Sequence, residues 1–264
     1  MKNERPFFSI VTVTLNNLLG LKRTYESLLA QECRDFEWIV VDGASSDGTI
    51  EFLESAKLER FCWISEPDCG LYDAMNKGLA RSQGYYLLFL NAGDMLADSR
   101  VLTAVKRQVE AQVALPGFIY GDAIEVDAAG NSILKPAFSH HMIWYGMFTH
   151  HQAMFYKREL IKDLKYDIRY KIAADFALTS EYLRKSPTAL KVNIPICVFE
   201  GGGVSSSLSG RWQGMKEQFI VCRSIQRRPY FVCVGIFLMH FTKHLVKTIL
   251  WPIYKRIRYS GRAH

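Results

Sequence analysis

The sequence predicts an α/β protein: a mostly parallel central sheet with helices packed against it. Three observations carry that prediction. Short, β-branched apolar segments alternate with segments of helical spacing from Phe7 to Asp94. The strand-like segments are nearly all apolar, as strands buried on both faces are. Each one runs at its carboxyl end into polar residues: Asn16, Asp42, Glu66 with Asp68, and Asn91 with Asp94. In open α/β sheets, ligands bind at that rim.

The elements follow in order. Residues 7–15 (FFSIVTVTL) read as a buried strand, and Leu21, Tyr25, Leu28 and Leu29 space a helix over 18–31. Residues 36–41 (FEWIVV) form a second strand, which stops at the polar turn 42–48 and opens a helix at Thr49. A short third strand covers 61–65, a helix 72–82, and a fourth strand 85–90 before Asn91-Ala92-Gly93-Asp94. Strand patterns recur at 118–126 and 153–156, and a helix is read around 176–185. The run 201–207 (GGGVSSS) reads as a loop.

The chain has 264 residues, 49% apolar and 22% charged. That mix excludes disorder, collagen-like repeats and coiled coil. The net charge is +7, and it is unevenly placed: from Arg223 onward there are nine Lys/Arg and no Asp/Glu. A near-neutral body with a basic tail is not the footprint of a nucleic-acid binder. No two of the six cysteines have C-x-x-C spacing, which excludes the usual zinc and redox motifs and points to a reducing compartment. The N-terminal residues carry no secretory apolar region, so a cytoplasmic body is expected.

No Walker or dinucleotide glycine loop follows the first strand. Carboxylates follow the later strands instead. They repel phosphate unless a hard divalent cation lies between, and Mg²⁺ or Mn²⁺ prefers such oxygen ligands. An acidic rim therefore suits a metal-bridged nucleoside diphosphate. Asp94 is placed to bind a metal, and its plainer alternative is a turn carboxylate capping the next helix. For Asp47, beside Gly48, the cap is the stronger reading. His140, His141, His150 and His151 are either metal ligands or loop histidines. Asp175 follows small and apolar residues, a setting that raises a carboxyl pKa and suits a general base; the alternative is a helix-start Asp.

Seven ordered segments resemble the family 2 glycosyltransferases: 9–17 (SIVTVTLNN), 38–49 (WIVVDGASSDGT), 65–84 (SEPDCGLYDAMNKGLARSQG), 89–94 (FLNAGD), 150–160 (HHQAMFYKREL), 172–178 (IAADFAL) and 201–205 (GGGVS). Within the family, the nearest likeness is to the bacterial exopolysaccharide branch with its colanic-acid-type transferases. The resemblance implies the GT-A fold over 1–222 and an inverting transfer of one hexose-type sugar from a UDP-, GDP- or dTDP-sugar. It implies Mg²⁺ or Mn²⁺ at Asp94 and Asp175 as the base that deprotonates the acceptor. Thr14 and Asn16 would line the nucleotide pocket. Asp42 would hydrogen-bond base or ribose, with Ser45 and Asp47 beside it. Asp73, Asn76 and Lys77 would face nucleotide and diphosphate. Asn91, His151 and Gln152 would lie near donor or acceptor.

Three departures carry meaning. The metal motif reads Asn91-Ala92-Gly93-Asp94, with one carboxylate where the family often has two. Ala174 stands where Glu often precedes the base. Gln226-Arg227-Arg228-Pro229 does not match the motif of processive members, which implies transfer of a single sugar. Asn91 and Ala174 leave open a nucleotide-sugar-binding protein with a decayed site; a nucleotidyltransferase is a further alternative.

Residues 223–264 form a basic, amphipathic helical segment. Its apolar run, 230–239, is too short to span a bilayer. His240, Lys243, His244, Lys247 and Thr248 then recur at helical spacing. Such a segment suits an in-plane helix over 227–258 on anionic lipid, beside a polyprenyl-diphosphate-linked acceptor. Packing of that helix on the body is the alternative.

Overall fold

The computed structural model describes residues 5–127, 130–185, 188–200 and 207–249. The glycine-rich segment 201–206 and the tail from residue 250 lie outside the described residues. The chain begins β1 (Phe8–Thr14), α1 (Leu18–Leu29), β2 (Phe36–Asp42), α2 (Thr49–Ser55), β3 (Phe61–Ser65), α3 (Leu71–Arg81) and β4 (Tyr86–Phe89). It continues with β5 (Met95–Leu96), α4 (Val101–Glu110), β6 (Phe118–Val126), β7 (Ser132–Lys135) and 3-10 turns at His140–Trp144 and His151–Ala153. Then come β8 (Met154–Lys157), α5 (Arg158–Ile161), α6 (Ala174–Leu183), β9 (Ala189–Glu200), α7 (Leu208–Ser224) and α8 (Tyr230–Ile249).

The strands form one sheet in the order β3-β2-β1-β4-β8-β6-β9-β5, with β7 paired to β6. The first four run parallel, as the alternating pattern predicts. Beyond β4 the sheet is mixed: β8 is antiparallel to both β4 and β6, whereas β6 and β9 are parallel. Every residue of β1 is buried, because both sheet faces are covered. Phe8 and Ile10 enter one core with Trp38 of β2 and with Leu21, Leu28, Leu53 and Val105 from α1, α2 and α4. Val11 and Val13 enter the other with Met75 of α3, Phe176 of α6 and Cys222 of α7. Helix α3 sits so close to β1 that a Cβ on Gly78 would lie 2.3 Å from Val11 Cγ1.

Helix α8 packs on the body. Cys233 and Ile236 are buried in the second core, and His240 stacks on Tyr145 with ring centroids 4.5 Å apart. Its outer face exposes Phe231, Leu238, Met239, Leu245 and Val246. Helix α7 runs through residue 222, so it joins the body to the basic segment. Among the described residues, no helix is long and apolar enough to cross a membrane.

Candidate active site

The strand ends converge as the rim argument requires. At the end of β1, Thr14 is 6% exposed, and its Oγ1 has no hydrogen-bond partner. Asn16 and Ala44 both take left-handed backbone conformations, φ 49° and 67°. Strain of that kind in non-glycine residues persists only where the surroundings hold it. Here the Asn16 N–H donates to Ser45 Oγ at 2.7 Å, and the Ser46 N–H donates to Asn16 Oδ1 at 2.9 Å.

Asp42 is fully buried and organises this loop. Its carboxylate accepts from Ser45 Oγ at 2.5 Å, the Ser45 N–H at 2.9 Å and Ser65 Oγ at 2.6 Å. Asp47 accepts from the Leu18 N–H at 2.8 Å and Thr49 Oγ1 at 2.6 Å, and these bonds hold its carboxyl below the usual range. It therefore ties the first turns of α1 and α2 together, although Gly48 heads α2 without a side-chain cap.

On α3, Lys77 Nζ lies 2.9 Å from Glu66 and 3.6 Å from Asp73, so an ammonium sits within the acidic rim. The contact with Glu66 raises its pKa. Asn76 does not join them, which corrects the expectation that it faces the diphosphate. Its carboxamide donates to Tyr166 O at 2.9 Å and accepts from the Tyr166 N–H at 2.7 Å. This two-point clamp holds a distant loop and occupies both ends of the amide.

The remaining predicted residues form one connected group. Gly93, at φ 108°, lets the turn after β4 close, with the Asp94 N–H bonded to Asn91 O at 2.9 Å. Asp94 is 7% exposed and accepts from Gln152 Nε2 at 2.8 Å. Asn91 Nδ2 lies 3.4 Å from His151 Nε2. The Nδ1 of that ring lies 3.7 Å from Asp175 Oδ2. Burial pushes His151 down to about 4 and Asp175 up to about 6. A neutral imidazole thus links the Asn91 turn to an acid ready to take a proton near neutrality.

Among the described residues, no three His, Cys, Asp or Glu side chains cluster as a metal site. The donors around Asp94 nonetheless fit a hard cation. Asn91 Oδ1 and Gln152 Oε1 are buried oxygens without hydrogen-bond partners. With the Asp94 carboxylate they offer the all-oxygen set that Mg²⁺ and Mn²⁺ prefer. His140 and His141 lie elsewhere, with His140 against Tyr120 at 3.3 Å.

Asp175 opens on a pocket of about 640 Å³, walled by Tyr145, Met147, Phe176, Arg211 and Lys243 among others. Glu217, which sequence reasoning did not single out, lies beneath it at 3% exposure. Its carboxylate accepts at 2.8 Å from the N–H groups of Lys171, Ile172 and Ala173, just ahead of α6. Burial works to raise the Glu217 pKa, but these bonds and that from Gln213 hold it below the usual range. Its charge adds to the upward shift of Asp175. The available sequence signal was that Glu217 is the last acidic residue of the chain.

This is the GT-A architecture, and the comparisons define the class. The family model "Glycosyl transferase family 2" matches residues 9–184, and the chain belongs to that family. A Mycobacterium bovis PGL/p-HBAD biosynthesis glycosyltransferase is 34% identical over 175 residues, 65% of this chain and 67% of the relative. The Bacillus subtilis glycosyltransferase TuaG, provisionally named for teichuronic acid biosynthesis, is 26% identical over 94% of this chain and 99% of its own. Among solved structures, Staphylococcus aureus TarS in complex with UDP-GlcNAc superposes with a TM-score of 0.67 at 16% identity, over 93% of this chain and 75% of that one. The mannosyltransferase PcManGT from Pyrobaculum calidifontis, in complex with GDP-Man and Mn²⁺, gives 0.62 at 16% identity, over 92% and 76%.

Proposed function

We propose that this chain is an inverting, metal-dependent, non-processive glycosyltransferase. It moves one sugar from a nucleotide-sugar to a lipid-linked glycan during exopolysaccharide or other cell-surface polysaccharide synthesis. It works at the cytoplasmic face of the membrane, held peripherally by α8 and the basic tail. The observation that carries the reading is Asp175: a carboxyl lifted to about 6, at the head of α6, facing a pocket. A decayed site has no reason to keep an acid poised this way at a pocket wall.

In the proposed reaction, the acceptor oxygen attacks the anomeric carbon as its proton passes to Asp175 Oδ2. The bond from that carbon to the nucleoside diphosphate breaks on the opposite face, and configuration inverts. The raised pKa makes Asp175 a stronger base while leaving it ionised above pH 6. His151 stays neutral beside the carboxylate, its Nδ1 3.7 Å from Asp175 Oδ2. Asp94, with the amide oxygens of Asn91 and Gln152, would hold the cation, which neutralises charge on the leaving diphosphate. The clustered loops hold the reactants in register. Names of relatives in PGL/p-HBAD and teichuronic acid biosynthesis support a cell-surface product. Exposed apolar side chains on α8 support membrane contact.

The test is a screen of UDP-, GDP- and dTDP-sugars with Mn²⁺, read by donor hydrolysis and thermal shift with and without EDTA. One donor should respond, and EDTA should abolish the response. Silence toward every donor, from folded protein with membrane extract added, would refute the reading.

A further inference from the structure

The pocket beside Asp175 has a composition that the donor site does not explain. Asp94, Gln152 and the strand-end residues do not line it; Asp175 does. A group placed there reaches Asp175 among residues that do not include Asn91, Asp94 or Gln152, which leaves the pocket free for an acceptor hydroxyl. Four basic residues line it, Arg211, His240, Lys243 and His244, against Asp175 as the one acid among its lining residues. His240 is neutral and structural: burial lowers its pKa, and its Nε2 sits 2.8 Å from Tyr145 O. Arg211 and Lys243 have no ion-pair partner among the described residues, so their charge is available to a ligand.

The surroundings of these cations are apolar. Phe138 and Met142, on the pocket wall, are 70% and 39% exposed. Met239 and Val246 lie four residues before and three after Lys243, on the same helix face, and both are exposed. A soluble anionic sugar would not need such neighbours. A phosphate carried on a hydrocarbon chain would meet cations at its head and exposed apolar side chains along its tail.

We propose that this pocket, walled by the His140–Trp144 turn, α7 and α8, is the acceptor site, and that it takes a short glycan on a lipid diphosphate. Arg211 and Lys243 hold the phosphates, while the sugar presents its hydroxyl to Asp175. Base and cations share one pocket of about 640 Å³, within the range of small-molecule sites. Helices α7 and α8 are then part of the active site as well as a membrane contact.

This inference rests on the glycosyltransferase reading, and the experiment separates the two. The full chain is first saturated with Mn²⁺ and whichever of UDP, GDP or dTDP binds; binding of none would sink the reading itself. Undecyl diphosphate and undecyl glucoside, below their micelle concentrations, are then titrated by calorimetry. The diphosphate should bind at least about tenfold more tightly, since paired charge-assisted hydrogen bonds are the strong ones. Arg211→Ala with Lys243→Ala should erase that advantage. Lys243→Ala alone, on an exposed helix face, should erase part of it without disturbing the fold. Lys216→Ala, which removes a cation over the Trp212 ring on α7 outside the pocket, should change nothing. Equal affinity for the two probes, or an undiminished advantage in the double variant, overturns the proposal. So does a double variant that loses only its binding to phosphatidylglycerol vesicles, because the two cations would then serve the membrane surface.

Discussion

Replacing Asp175 with Asn removes the proton acceptor and keeps the shape of the site. The carboxyl titrates at about 6 in the folded chain, against 3.8 unperturbed. A gap of roughly two units amounts to about 3 kcal/mol. The native pKa lies above the unfolded one, so the unfolded chain loses this proton first. The folded state is therefore penalised in full above pH 6, progressively less between pH 6 and 3.8, and hardly at all by pH 3. Asn carries no charge, and its carbonyl retains the bond from the Phe176 N–H, now 2.7 Å. At pH 8 the variant should be more stable by up to about 3 kcal/mol, a rise of about 5–10 °C in melting temperature. At pH 4 the gap should shrink to about 0.5 kcal/mol, and by pH 3 the two proteins should melt together. Turnover should fall by about 10²–10⁴, the usual contribution of a positioned base. Calorimetric melting from pH 3 to 8, with turnover measured in parallel, tests both halves. A melting difference that does not vary with pH would show that the carboxyl is not held out of water. Unchanged turnover would show that Asp175 is not the base.

Turnover of the wild-type chain should rise with pH through about 6 as Asp175 ionises, and Glu217→Gln should move that limb to lower pH because one raising charge is gone. A limb that stays in place in the variant would detach Glu217 from the base. Glu217→Ala leaves three backbone N–H groups without their acceptor and should cost about 3 kcal/mol or more, read by urea unfolding. Asp94→Asn should lower turnover about 100-fold or more and flatten its Mn²⁺ titration; a wild-type-like titration would place the cation elsewhere. Gly78→Ala drives a methyl to 2.3 Å from Val11 Cγ1 and should cost about 1–3 kcal/mol in unfolding free energy, whereas an unchanged midpoint would contradict the close packing of α3 on β1.

Strands β1, β2 and β4 were legible in the sequence because burial on both faces leaves uniform apolar runs. The rim was legible for a related reason: a polar residue ending such a run has one place to go, the carboxyl edge of the sheet. Asp42, Asp94 and Asp175 could be marked from local context alone, and the ordered motifs assigned the family. Asn76 shows where that reasoning stops. The family resemblance assigned it to the diphosphate, but its amide is taken by Tyr166, ninety residues away in sequence. Local spacing could not report that partner.

The sequence by itself thus determined the α/β class, the positions of the first four strands along the chain and the acids at their ends, because each follows from the burial of one segment. Tertiary structure alone decided the antiparallel insertion of β8, the link from Asn91 through His151 to Asp175, the Glu217 carboxylate under the head of α6, and the basic pocket built from α7 and α8. Each of these joins segments far apart along the chain. Periodicity records which side of an element is buried, whereas the partner it is buried against is set by packing in three dimensions.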